Sequence, residues 1–260
     1  ALFICQSVIF HCRDQELRSN FFLEPFLTNG RGGTVTMLVH ADRLVKVSRS
    51  ITQLLRDLLQ NWAVMFQSGK QNVRGVDLAE EHVWSAYFEP ALEDLESDSQ
   101  SELPRSSFRA SVREMLLEIE VLEIVGAGDD FPSDTPSDGK PLWKSRMAWV
   151  LVGGQLLDRG QTLPNLMTSY MPRSPGGGAR TGEVGGQFDT LQQRGRFYGH
   201  RRTYRKILRG WFSQNTLETY KQIAIAEQQH FDLLNELDQG SIGLADTQIE
   251  KLAKLSEGIE

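Results

Sequence analysis

The chain has 260 residues, 40% of them hydrophobic and 24% charged, which suits one large soluble α/β domain or two small ones. No apolar run reaches the roughly 18 residues of a membrane span, and the apolar start, Ala1 to Phe10, lacks the basic opening and cleavage site of a secretory signal. A net charge of −6 argues against a general nucleic-acid binder, so any phosphate contact must come from a local field.

Residues 1–18 read as an entering helix, and the absence of an initiator Met gives the expectation that the chain is cut from a longer protein. Asn-Gly and Gly-Gly pairs make residues 27–33 a turn. Thr34 to His40 is a short β-rich apolar run, a buried strand candidate. Ala41 to Gln67 carries apolar residues at helical spacing, with Asp42 placed to cap it. Val76 to Leu95 is an acidic helix, residues 97–105 a polar linker, and Phe108 to Leu117 a third helix. Ile119 to Val125 is a second strand, followed by a Gly/Asp/Ser/Pro loop over residues 126–140. Met147 to Val152 is continuously apolar, as a buried parallel strand is. Leu166 to Met171 is a fourth strand, and Ile207 to Phe212 a candidate fifth. Helices are expected over residues 188–199, 217–237 and 246–256. Strands alternating with helices predict an α/β fold, a parallel sheet with helices on both faces and no strong internal boundary.

Charge is segregated along the chain. From Val76 to Pro104 there are nine acids and no Lys or Arg, whereas Arg194 to Arg209 holds seven basic residues and no acid. The basic stretch is therefore the place to look for phosphate chemistry. Its aromatics Phe197, Tyr198, Tyr204, Trp211 and Phe212 suit either a single-strand grip or core burial. Cys5 and Cys12 lie seven apart with no metal-ligand spacing, which reads as two reduced thiols in a cytoplasmic protein.

Two segments carry the chemistry. In Val150 to Leu166 a buried strand ends in Gly153-Gly154, with Asp158, Arg159, Gly160 and Thr162 beyond it. Ligands of open α/β sheets bind outside the carboxyl ends of the strands, and paired glycines let a backbone approach a phosphate there. In Phe188 to Arg202, Gln193, Arg194, Gly195 and Arg196 are followed by Gly199, His200 and Arg201. A planar, permanently charged guanidinium in such a cluster suits an arginine finger for a γ-phosphoryl group.

Several lookalikes are weaker. The Gly176–Gly182 stretch lacks the Lys-Ser/Thr pair of a phosphate loop, and no G-x-x-x-x-G-K-[ST] occurs anywhere in the chain. Asp129, Asp130, Asp134 and the Asp138-Gly139-Lys140 triplet sit together in one polar loop with no supporting strand pair. Glu227-x-x-His230 is a single copy of a motif that needs two, and reads as a polar helix face. His40 reads as structural, and no metal site is expected.

In this order, Thr36 to Arg43 (TMLVHADR), Val150 to Leu166 (VLVGGQLLDRGQTLPNL) and Phe188 to Arg201 (FDTLQQRGRFYGHR) resemble the Z1 domain family, whose members are classed as candidate endonucleases. The resemblance runs from residue 1 to about residue 238. That family is similar to the C-terminal RecA-like lobe of superfamily-two helicases and ATPases. The resemblance implies three parts: a lead-in helix and linker over 1–33, a RecA-like lobe over 34–238, and a C-terminal helix or further region over 239–260. Thr36 to His40 is similar to motif IV, Gly153 to Thr162 to motif V, and Gln193 to Arg201 to motif VI. By this likeness Gly153, Gly154, Asp158, Arg159, Gly160 and Thr162 couple nucleic-acid contact to the nucleotide, and Gln193, Arg196 and Arg201 face ATP. Gly199 stands where a second motif-VI arginine is usual, so Arg196 and Arg201 are both finger candidates. Asp158 stands where the family usually has Ser.

The implied activity is that of an ATP-dependent, helicase-like prokaryotic hydrolase in restriction-modification or phage defence. ATP and Mg²⁺ would be held mainly by an N-terminal lobe outside this chain. The implied partners are DNA, that lobe and further defence components, with no membrane. The alternatives are a metal-dependent DNA endonuclease and a non-catalytic DNA-binding or assembly module.

Overall fold

A computed structural model describes residues 1–11, 33–40, 44–68, 74–99, 103–124, 131–133, 141–154, 163–172 and 205–238. It divides into two compact units, Ala1–Tyr170 with Phe197–Trp211, and Met171–Arg196 with Phe212–Glu260. A five-stranded parallel sheet runs through the fold in the order β2-β3-β1-β4-β5. Its strands are β1 (Val35–His40), β2 (Ile119–Ile124), β3 (Ala148–Gly153), β4 (Leu166–Met171) and β5 (Arg209–Phe212). The expected strands are all present, within a residue or two of their expected bounds.

The helix α1 (Leu2–His11) is apolar on every side, and its residues Phe3 to Phe10 are all buried. A helix hydrophobic all round belongs inside a core, and α1 packs in one cluster with the sheet face of Val35, Val39, Val121, Val150, Val152 and Met167. It is therefore a core element of the first unit and not only an entry to it. Gln6, buried in α1, donates to the carbonyls of Met167 (3.4 Å) and Ile207 and accepts from the Thr168 hydroxyl. A buried amide is tolerated because its donors and acceptor are all satisfied. His11 at the end of the helix meets the Met147 carbonyl at 3.0 Å, which Val35 N–H and Thr34 Oγ1 also approach.

Long amphipathic α2 (Val45–Ser68) follows β1 and buries Trp62 and Phe66 in the same cluster. Asp42, its expected cap, lies outside the described residues. The Leu44 carbonyl takes the N–H groups of Val47 and Ser48 at the helix start. Arg49 reaches Glu123 and Arg56 forks onto the Val121 carbonyl, so α2 runs antiparallel to β2. That fork also occupies a carbonyl of an edge strand.

The acidic segment is helical but not regular. It runs as α3 (Arg74–Val83), a π-helical turn (Trp84–Phe88) and α4 (Glu89–Ser99). In the π turn the Glu89 N–H bonds to the Trp84 carbonyl five residues back, and Trp84 Nε1 donates to Glu89 at 2.8 Å. The extra residue stacks Trp84 on Phe88 at 5.5 Å between centroids. Helix α5 (Arg105–Glu118) answers the acids: Arg105 binds Glu89 and Glu96, Arg109 binds Glu80 and Glu81, and Arg113 binds Glu80. Arg109 also lies 4.8 Å over the Trp84 ring.

Glu96 illustrates the balance of forces in this network. Burial pushes its carboxyl up, but the Arg105 hydrogen bond, the Leu103 N–H and the Arg105 charge outweigh that and hold it below the ordinary range. The same pairing with Glu96 raises Arg105. A carboxylate depressed on folding adds stability above its unfolded pKa and loses it as pH falls through the folded value. Equilibrium urea melts below pH about 4.5 should therefore show a loss that Glu96→Gln largely removes. An identical pH slope in wild type and variant would refute the assignment.

On the opposite sheet face Leu38, Ile124, Trp149, Leu151 and Leu166 are buried. Trp149 Nε1 donates to the Trp143 carbonyl at 3.0 Å, and the two rings meet edge-on. The helix expected over residues 188–199 lies outside the described residues. At the amino end of the sheet Asn165 takes a left-handed φ of 37°, which Asn adopts more readily than most residues. From there Asn165 Nδ2 donates to Thr34 O and Asn165 O accepts from Thr36 N–H, tying the start of β4 to β1. In the second unit α6 (Gln214–Asp238) opens with Ser213 capping Thr216 N–H at 3.2 Å. Among the described residues no helix is long and apolar enough to cross a membrane.

Candidate functional site at the carboxyl end of the sheet

Strand β1 is central, with β3 on one side and β4 on the other. Its chain leaves toward β2 on the β3 side, whereas the chain after β4 leaves toward β5. In open α/β sheets ligands bind outside the carboxyl ends of the strands where connections part in this way, which here is between β1 and β4. Because α2 runs antiparallel to β2, its amino end faces the same edge, and orphan N–H groups there attract anions.

Gly153, the last residue of β3, lies in register with both His40 of β1 and Ile124 of β2. Gly153 thus places no side chain between His40 and Ile124, both of which are buried. Gly154 continues in a bend, and both glycines are buried. His40 is 2% exposed, in keeping with its structural reading. Ser169 lies opposite Leu38 on β4, 1% exposed, and its Oγ has no hydrogen-bond partner among the described residues. Ser48, fully buried in the first turns of α2, is in the same condition. Both were missed in the sequence, where a Ser inside LMTSYM was the one available signal.

Of the expected site residues, Gly153 and Gly154 fall at this edge. Asp158, Arg159, Gly160, Thr162, Gln193, Arg196 and Arg201 lie outside the described residues, as do Asp129, Asp130, Asp134 and Asp138. Among the described residues Ser133 forms a bridge with Leu142, with Ser133 N–H on Pro141 O and Trp143 N–H on Ser133 O. Among the described residues no group of three His, Cys, Asp or Glu is placed to hold a metal ion. Glu227 and His230 are exposed on α6.

The charge pattern divides in an instructive way. Arg209, at the end of the basic segment, is only 17% exposed at its side chain and binds Asp94 (2.7 Å) and Asp98 (2.8 Å) of α4. It also donates to the Lys206 and Leu208 carbonyls. Arg209 is thus an internal anchor and does not face a phosphate. Of the nine acids in the acidic segment, Glu80, Glu81, Glu89, Asp94, Glu96 and Asp98 hold arginines of this same unit.

Cys5 is a free, fully buried thiol, and burial pushes its pKa up to about 12. A thiol so held is a poor nucleophile. In a Cys12→Ser background, Cys5 should resist a disulfide-exchange reagent in native buffer and react at once in guanidinium. Rapid native labelling would refute this burial.

No curated protein and no solved structure matches the chain. A family model does, over residues 2–252, almost the whole length including α1, the sheet, the glycine pair and α6. The chain therefore belongs to the Z1 domain family.

Proposed function

We propose that this Z1 domain is the C-terminal, RecA-like motor lobe of an ATP-dependent, helicase- or translocase-like enzyme acting on DNA, in restriction or phage defence. The observation that supports the reading is the Gly153-Gly154 pair, which closes a buried parallel strand beside the central strand, at the carboxyl end of the sheet. That is where an open α/β sheet admits a phosphate-bearing ligand.

On this reading a second lobe binds Mg-ATP, since no phosphate loop of its own occurs in the chain. Gly153, Gly154, Asp158, Arg159, Gly160 and Thr162 relay DNA contact toward the nucleotide. Gln193 with Arg196 or Arg201 completes the ATP site as the lobes close. The test is ATP hydrolysis by the full-length parent with and without DNA. Stimulation by DNA is expected. No hydrolysis under any DNA condition would sink the proposal, and metal-dependent nicking lost in Asp138→Ala would favour the endonuclease alternative.

A further inference from the structure

We draw no further inference here: the strongest candidate, the amino end of α2 with the fully buried Ser48 hydroxyl that has no partner among the described residues, belongs to the site already described, and nothing in the structure aims that hydroxyl at a ligand.

Discussion

Alanine at one of two arginines, Arg196 or Arg201, should lower DNA-stimulated ATP turnover by the full-length parent about 10³-fold or more, the loss seen when a finger is removed from other NTPases. The expectation rests on what a guanidinium does to charge developing on the transferred phosphoryl group. Its fork is planar and permanently charged, so two N–H donors meet two oxygens without a proton having to move. Lysine keeps the charge and loses the fork, so the Lys variant of the same residue should recover only a small part of the rate. The other arginine, if it contacts ground-state substrate alone, should raise KM and leave kcat near wild type.

Arg209 supplies the control. It belongs to the same basic run, but it is bound to Asp94 and Asp98. Arg209→Ala should lower the thermal midpoint and leave the turnover of the folded enzyme close to wild type. A 10³-fold loss at Arg209 and none at Arg196 or Arg201 would overturn the assignment of fingers to the Gln193–Arg201 segment.

Removing Glu80 should cost the most stability of any single ion-pair change in the described fold, about 3 kcal/mol, the lower end of the range for breaking a buried pair. The Glu80 side chain is 5% exposed, and one of its oxygens accepts from Arg109 at 2.9 Å and from Arg113 at 2.8 Å. Glu80→Ala leaves two guanidiniums side by side with no carboxylate between them. They are partly exposed, so water recovers some of the loss, which sets the figure at the lower end. Glu81 is the comparison, since it binds Arg109 from a side chain 58% exposed. Glu81→Ala should cost no more than about 0.5 kcal/mol, as exposed pairs do. Urea denaturation of both variants against wild type measures the difference. Equal costs would mean that burial of the Glu80 carboxylate is not what holds α3 to α5.

Glu80 also shows where reading the chain in one dimension stops. From the sequence, Val76 to Leu95 reads as an acidic helix and residues 97–105 as a polar linker. In the fold this run of acids is a set of sockets for arginines at 105, 109, 113 and 209. The π turn at Trp84–Phe88 shifts the helix phase by one residue, so that Glu80 and Glu81 before it and Glu89 and Glu96 after it all reach α5. No periodicity count foresees that shift, because it is stabilised by contacts between Trp84, Phe88 and Arg109 that exist only after packing. The candidate site was legible in a different way. Gly153-Gly154 at the end of a buried apolar run is a local signal, and the fold places it at the sheet edge. Ser169 carries only the weak signal of a serine within an apolar strand and Ser48 carries none, for a serine is marked chiefly when burial removes its water.

The sequence by itself determined which segments became strands and helices, because that choice is local. Val35–His40, Ala148–Gly153 and Leu166–Met171 are apolar runs too short and too β-branched or bulky for helices, and α2 has the spacing of one buried stripe. It also determined family membership, through the ordered segments that the family model spans. Only the tertiary structure decided the strand order β2-β3-β1-β4-β5, the central burial of α1 and the partners of each charge. The reason is distance along the chain. Arg209 and Asp94 stand 115 residues apart, and Gln6 and Ile207 stand 201 apart. Composition presents each as a free polar group, and only the folded backbone brings them within reach of one another.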